Sequence, residues 1–585
     1  MITAEELYHE AEAKSAAADA LIKAAHTLEE NGRHWAPRVK MLQAADLLEE
    51  ARTLRERALT CGGQDRGASG VVSGAAAPSF YRSLQHVLPT PSECANIPSQ
   101  IQRVREGMDG CGGHMLDHRP IEYRGVPLEV LCKAFAECSD LMHTVEPMPA
   151  DCKAAGAMAQ VTSQVGRDAT AQLQQDMHNI FEAWLGHRIV LTQPGPGESG
   201  PSISGSVGGH VVLLVKVMTD QGGDARAELL HCYLDHLATQ ERIDGLLQRS
   251  CMPVLSVEIK GGILSVGGFA ADEHTLLSEP LRQPVQLYLS NFPQHMLAVA
   301  QALAAIRLTL DSLAAEQQHA ADTRSSPPEL WAGRPWLLCQ GQFESWQVQK
   351  LWGDTIYLLE PPQTAAGSQS PGTSAAGAQV QPSQLVAKFW QPQGDHALGD
   401  LVQAAWHEQG VAPEVVATFP AGSWRLTVMR YLALEEGWAP LLWLAPSSHK
   451  LRASLIADME ADGGDPSTVV PADETEWRAL QIEALRALGK GHRAQVKLPA
   501  GMEPVDGEEV RSVHADARLI NTVARRGPGG WEVQFVDFAW SGIQKLSRYP
   551  VLMNPEMPWP EGAQPRAHLI QHHDEDLLLM ELRSG

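Results

Sequence analysis

Apolar positions recur at helical spacing near the start of the chain. Leu7, Ala11, Ala18, Leu21, Ala25 and Leu28 share one face over residues 3–30, and Thr3 with Glu6 fits a capping box. Asn31-Gly32 supplies a left-handed stop, and Pro37 opens a second amphipathic run through Leu42, Ala45, Leu48, Ala51 and Leu54. The pattern predicts a helical hairpin over 1–60, a packing element or a surface for a protein partner. Further on, helical spacing over 168–185, 225–237 and 296–313 alternates with β-branched runs over 211–217, 254–259 and 263–266 and an alternating run over 285–289, which predicts an α/β domain across 80–318. WQVQKL, TIYLLE, QLVAKFW and SWRLTVMRYL read as strands, and 476–488 reads as a helix, so 336–585 forms a third region. The expected fold class is multidomain, α/β and α+β.

Gly, Pro and Ser punctuate these regions. GGQDRGASGVVSGAAAPS, QPGPGESGPSISGSVGG, QHAADTRSSPPEL and PPQTAAGSQSPGTSAAGAQVQPSQ read as linkers or long loops. With 585 residues, 44% of them hydrophobic, the chain can bury several cores. Its net charge of −24 argues against nucleic acid and anionic membranes as partners. Nine cysteines without regular spacing read as reduced thiols. The acidic start, MITAEELYHEAEAK, lacks the basic and apolar segments of a secretory signal, and Arg307 and Asp311 interrupt the most apolar helix; the expected address is intracellular, cytoplasmic or nuclear, with no membrane span.

The densest chemistry lies in VRSVHADARLINTVARRGPGGWEVQFVDFAWSG. His514, Asp516, Arg518 and Asn521 form H-x-D-x-R-x-x-N, and Asp537 follows Asn521 by sixteen residues. Transfer of a phosphoryl group from ATP needs a carboxylate to take the acceptor's proton, plus oxygen ligands that hold magnesium against the phosphates. Asp516 fits the first role, Asn521 and Asp537 the second. Upstream, Lys388 is centred in the QLVAKFW strand, like the V-A-I-K lysine that contacts phosphates. Gly353 lies at the tip of a preceding hairpin, where backbone amides would cover the phosphates, and Met429, Tyr431 and Leu432 fall where adenine would be received. Asp400 and Glu408 both lie on the helical stretch after Lys388, and spacing does not choose which of them orients it.

Lys388, HADARLIN and VDFAW together resemble the eukaryotic-protein-kinase-like fold. The tail, with Arg548-Tyr549-Pro550, Trp559 and His573-Asp574, resembles more narrowly the atypical kinase domains common in fungal proteins and at the ends of Crinkler-type proteins. The resemblance implies a bilobal fold with ATP and Mg²⁺ between the lobes, Lys388 on phosphate, Asp516 as base, Arg518 neutralising charge on the transferring group, and protein Ser/Thr hydroxyls as acceptors. A glycine-rich G-x-G-x-x-G loop and A-P-E are absent, and Ala539 replaces the glycine of D-F-G. These departures leave a small-molecule kinase and a pseudokinase scaffold as alternatives.

The stretch HVVLLVKVMTDQGGDARAELLHCYLDHLA followed by SCMPVLSVEIKGGILSVGGF resembles the PD-(D/E)XK nuclease-like region that often precedes such kinases. Lys216 precedes Gly222-Gly223-Asp224, but Leu214 stands where a metal-binding carboxylate belongs, which implies a degenerate nuclease. Glu258 and Lys260 form a rival E-x-K, with Asp220 or Asp224 as partner carboxylates. Cys111-Gly-Gly-His114 with His118 lacks a second pair of zinc ligands and reads as a loop.

Overall fold

The computed structural model describes Lys14, Met115–Leu116 and residues 126–584, with breaks at 165–169, 194–200, 220–223, 240–245, 248, 272–275, 288–292, 323–333, 353–354, 363–383, 393–397, 462–464, 503–509 and 556. The predicted N-terminal hairpin apart from Lys14, together with Gly353, Asp220, Gly222-Gly223 and Cys111, His114 and His118, lies outside the described residues; within the stretch expected to be a loop, Met115–Leu116 is a strand. Two compact units divide the chain, Met1–Ala77 and Pro78–Gly585. The second is mixed α/β and carries two large sheets.

Its first part contains β1 Met115–Leu116, α1 Leu128–Leu131, α2 Lys133–Thr144, α3 Pro149–Gln164, α4 Thr170–Leu185, β2 Val190–Thr192, β3 Ile203–Val207, β4 His210–Met218, α5 Ala225–Thr239, β5 Val254–Lys260, β6 Ile263–Ala271, β7 Leu276–Pro280, β8 Val285–Gln286 and α6 Pro293–Asp322. The strands form one sheet in the order β1-β7-β6-β5-β4-β3-β2, with β8 on β6. β4 and β5 run parallel, so α5 must carry the chain back between them; the turn at Gly261, with φ +55°, suffices for antiparallel β5 and β6. Both faces of β4 are covered, which is why its sequence is a nearly unbroken apolar run. Leu214 packs with Leu229 and Tyr233 of α5 on one side, while Leu213, Val215 and Val217 join the core made with α2, α4 and α6.

Among the described residues, α6 alone has the length and hydropathy of a membrane span, and most of that window is buried inside the protein. Its two interrupting charges are neutralised within the fold. Arg307 donates from Nε and Nη2 to Asp151 at 2.9 and 2.8 Å, Trp184 Nε1 donates to the same carboxylate at 2.9 Å, and Arg188 pairs with Asp311 at 2.6 Å. Asp151 has no exposed surface, so this bidentate pair is what makes its burial tolerable.

The second part begins with β9 Gln347–Trp352, β10 Ile356–Glu360, β11 Leu385–Trp390, α7 Gly399–Glu408, β12 Val415–Ala421 and β13 Trp424–Arg430. These strands form an antiparallel sheet ordered β12-β13-β11-β10-β9, and residues 363–383, outside the described set, connect β10 to β11. There follow β14 Ala439–Pro440, α8 Leu441–Leu444, α9 His449–Ala461, α10 Glu474–His492, β15 Ser512–Val513, β16 Thr522–Gly527, β17 Gly530–Phe535, β18 Gly542–Ile543 and α11 Gln571–Ser584. Asp473 caps α10 by accepting from the amides of Thr475 and Glu476 at 2.9 Å, and Glu476 accepts from Ala472 at 2.7 Å.

The segment around α1 joins the two parts. Leu128 packs in the core of the first sheet, whereas Val130 is buried with Tyr357, Phe389 and Val428 under the second. Between them Glu129, 6% exposed, accepts from Ser139 Oγ at 2.9 Å and from the Ser423 amide at the β12-β13 turn. Burial pushes the Glu129 carboxyl up, and these hydrogen bonds only partly offset it. Gly422 makes the approach feasible: its φ is +63°, and a Cβ there would lie 2.2 Å from Glu129 Oε2.

Candidate active site

The β16-β17 hairpin explains why two distant carboxylates share a site with Asn521. Its turn passes through Gly530 at φ +119°, and its register pairs Thr522 with Phe535. Asn521 therefore lies across from Val536, whose amide donates to the Asn521 carbonyl at 2.9 Å, and Asp537 follows immediately. Asp516 sits five residues before Asn521, and a short helical turn at Leu519–Asn521 folds the side chains together. Asn521 Nδ2 donates to Asp516 Oδ2 at 2.7 Å and to its carbonyl at 3.0 Å, which leaves the Asn521 side-chain oxygen for a cation. Arg518 grips the Asp516 carboxylate with Nε at 2.6 Å and Nη2 at 2.7 Å.

Lys388, in the middle of β11, reaches across to pair with Asp537 Oδ1. The lysine side chain is 15% exposed and that of Asp537 41% exposed. Asp537 is thus packed among protein atoms but keeps part of its side chain open to solvent. Burial pushes its carboxyl up, but the Lys388 charge and hydrogen bond and the Ala539 amide outweigh that and hold it below the ordinary carboxylate value. Arg518 is held above its ordinary value, because Asp516, Glu581 and Asp537 together overcome the cost of its burial.

Two residues here adopt left-handed backbone without being glycine: Ala515 at φ 68° and Asp537 at φ 66°. Such conformations cost about 1 kcal/mol or more each and persist where neighbours over-determine them. The neighbour that fixes Ala515 is Asp574 in the first turn of α11, 1% exposed, which accepts from the amides of His514 and Ala515 at 2.8 Å and faces His492 Nε2 at 3.1 Å. Burial pulls His514 below its ordinary value, and its Nε2 donates to the Val536 carbonyl at 3.0 Å. Its ring packs on Phe538, with centroids 4.6 Å apart, and both rest against Trp406 of α7. Trp406 Nε1 is tied to Ser512 at 2.9 Å.

Asp516, Arg518 and Asn521 therefore form one hydrogen-bonded cluster, linked through the Asn521–Val536 bond to Asp537 and so to Lys388. Neither Asp400 nor Glu408 orients Lys388. Asp400 pairs with Arg425 at 3.1 Å, and Glu408 is exposed. From the interior of α7, buried Gln403 donates instead to the Pro413 carbonyl at 3.2 Å and to Met429 sulfur at 3.4 Å. Met429 ends β13, buried; Tyr431 follows, its amide bonded to the Gln384 carbonyl at 3.1 Å, and Leu432 is partly exposed beside it. The tail residues form a separate layer, where Tyr549 hydroxyl meets His573 Nδ1 at 3.2 Å and Trp559 packs on Trp540.

The structural roles of Trp406, Glu581 and Asp574 were not readable in advance, although a carboxylate opening a helix just after two histidines was a signal for the last. Glu581 accepts from the Leu519 amide at 2.6 Å and so anchors the turn that carries Asn521.

In the first sheet, Lys216 and Glu258 stand side by side in register on β4 and β5, yet each is closed by a partner from α5. Lys216 pairs with Glu228, and Arg226 pairs with Glu258 at 3.1 Å. Asp224 caps α5, accepting from the amides of Arg226 and Ala227 at 3.1 and 3.2 Å. No family model, no curated protein and no solved structure matches this chain.

Proposed function

We propose that the chain is an ATP-dependent phosphotransferase of the protein-kinase-like fold, acting on protein Ser or Thr hydroxyls. The observation that carries this reading is that β11 and the two ends of the β16-β17 hairpin bring Lys388, Asp516, Asn521 and Asp537 into one chain of contacts, Lys388 on Asp537 and Asn521 on Asp516. The donors suit magnesium, since the Asp537 carboxylate and the Asn521 side-chain oxygen are hard ligands. When bound, the metal would neutralise charge on the phosphates of ATP. Lys388 would hold a non-bridging phosphate oxygen by exchanging part of its bond to Asp537. Asp516, fixed by Asn521 and Arg518, would accept the proton of the acceptor hydroxyl. Arg518, set between the two carboxylates, would offset charge on the group in flight.

A second reading is a pseudokinase that acts by binding. It is favoured by one feature, the absence of a carboxylate from α7 opposite Lys388. For the first sheet we propose a degenerate nuclease-like domain. The order α4, β2-β3-β4, α5, β5 supports it, as do the burial of Leu214 and the closed pairs at Lys216 and Glu258, which leave no open carboxylate pair there among the described residues.

Transfer of labelled γ-phosphate from magnesium-ATP to the chain and to a generic protein, compared between wild type and Asp516→Asn, decides the matter. Label that vanishes in the variant is the expected result. No label with a melting temperature still raised by ATP would favour the pseudokinase. No label and no shift would overturn nucleotide binding altogether.

A further inference from the structure

Cys132, Cys251 and Glu316 come from the junction of α1 and α2, the loop before β5 and the C-terminal part of α6. Their ligand atoms all lie within 4.8 Å of one another. Cys132 Sγ is 3.2 Å and Cys251 Sγ 3.8 Å from the two carboxylate oxygens. Sulfur and oxygen held tetrahedrally at ordinary zinc distances of about 2.3 and 2.0 Å would be about 3.5 Å apart, midway between these values.

Ordinary packing accounts for the thiols, which are 0% and 1% exposed, but not for the carboxylate. Glu316 is half-buried, yet its carboxylate faces inward onto the two thiols, where a charge calls for compensation. Glu316 has no Lys or Arg partner among the described residues; it meets two thiols and the Ser250 hydroxyl. Burial pushes both thiols up.

The loop that presents Cys251 is also held at a cost. Met252 takes φ 47°, and the conformation is secured by Tyr233 hydroxyl donating to the carbonyls of Cys251 and Met252 at 3.2 and 2.8 Å, and by the Met252 amide donating to Ser250 Oγ at 3.0 Å.

We propose that Cys132, Cys251 and Glu316 bind a zinc-class divalent ion, with the partly exposed side of Glu316 admitting a water as fourth ligand. Two thiolates and one carboxylate favour zinc over the hard cations suited to the phosphate cleft. The ion staples three segments distant in sequence at the base of the α1 joint.

The test uses the full chain, reduced and stripped with a chelator, then titrated with Zn²⁺ against a chromophoric competitor and with Co²⁺ by absorbance. Wild type should show a thiolate-to-cobalt charge-transfer band and take up one equivalent of zinc at this site. Cys251→Ser should abolish the band or weaken zinc by ~100-fold or more, Glu316→Gln should weaken it ~10-fold to 100-fold, and Cys111→Ser should leave this component unchanged. Zinc should raise the melting temperature of wild type more than that of Glu316→Gln. If Cys251→Ser fails to fold, Glu316→Gln, altered at a partly exposed position, decides alone. Three results would overturn the proposal: no band in wild type, metal uptake identical in Glu316→Gln, or a Cys132–Cys251 disulfide in glutathione buffer with no zinc taken up after reduction.

Discussion

Lys216 and Lys388 make an instructive pair. Each stands on a strand that packs on both faces of its sheet or close to it, and each meets one carboxylate. Around Lys216 both partners are closed off, at 11% and 12% side-chain exposure, and the carboxylate comes from the crossover helix that covers the sheet. Around Lys388 the lysine is comparably buried, but Asp537 keeps 41% of its side-chain surface. The same kind of ion pair is thus enclosed in one region and open to solvent on the carboxylate side in the other. Exposure of the partner, rather than the identity of the residues, separates a structural pair from one available to a ligand.

The largest effects should separate the two lysines. Lys388→Met is expected to lower phosphoryl transfer by at least ~100-fold while the fold persists, because its role is to hold charge that develops on the phosphates. Lys216→Met should leave transfer per folded molecule intact but cost about 3 kcal/mol, because it strands Glu228 in a covered position. Transfer rates and denaturant midpoints on both variants check this; an equal loss of transfer in the two would collapse the distinction.

Next comes Asp574→Ala, which leaves the His514 and Ala515 amides without their acceptor and removes what stabilises the left-handed Ala515. A loss of about 3 kcal/mol is expected, together with slower transfer, since Asp516 follows directly. Partial recovery in Asp574→Asn, which keeps one acceptor, would show that the bond to the backbone matters more than the charge.

The joint between the regions is probed by Gly422→Ala. Positive φ and the close approach to Glu129 together should cost about 2 kcal/mol, against about 1 kcal/mol for Gly410→Ala, where φ is +72° but nothing lies within 4 Å of the added methyl. Melting temperatures of the two variants measure the difference.

The smallest effect is a pH dependence in the first region. Burial holds His236 of α5 down to about 4, against an ordinary value of 6.5. A histidine depressed in the folded state contributes stability above pH 6.5 that is lost as the pH falls toward 4. Denaturant midpoints between pH 7.5 and 4.5 should therefore fall less steeply in His236→Gln than in wild type.

Much of the local structure was legible beforehand. Helical spacing over 168–185 and 225–237 became α4 and α5, and 476–488 marked the centre of α10, because amphipathic periodicity is a local consequence of which face is buried. QLVAKFW and SWRLTVMRYL became the adjacent strands β11 and β13. β12 and α3 were not anticipated: β12 alternates in exposure, but its sequence VVATFPA is apolar at both kinds of position, and α3 is rich in small residues that carry little periodic signal. At the candidate site the apolar run 533–536 reads as a strand that ends at Asp537; its partner strand, 522–527, and the GPGG turn between them came only with the structure.

The chain's own order supplied the residue types at the candidate site, their spacing and the strand that ends at Asp537, because these depend on neighbours along the chain. Which carboxylate meets Lys388, that Asp574 holds the backbone ahead of Asp516, and that Cys132 and Cys251 face Glu316 from 184 and 65 residues away came from the packing of elements. Those pairings depend on how elements stack, and no local period records which side chains from separate elements will be enclosed together.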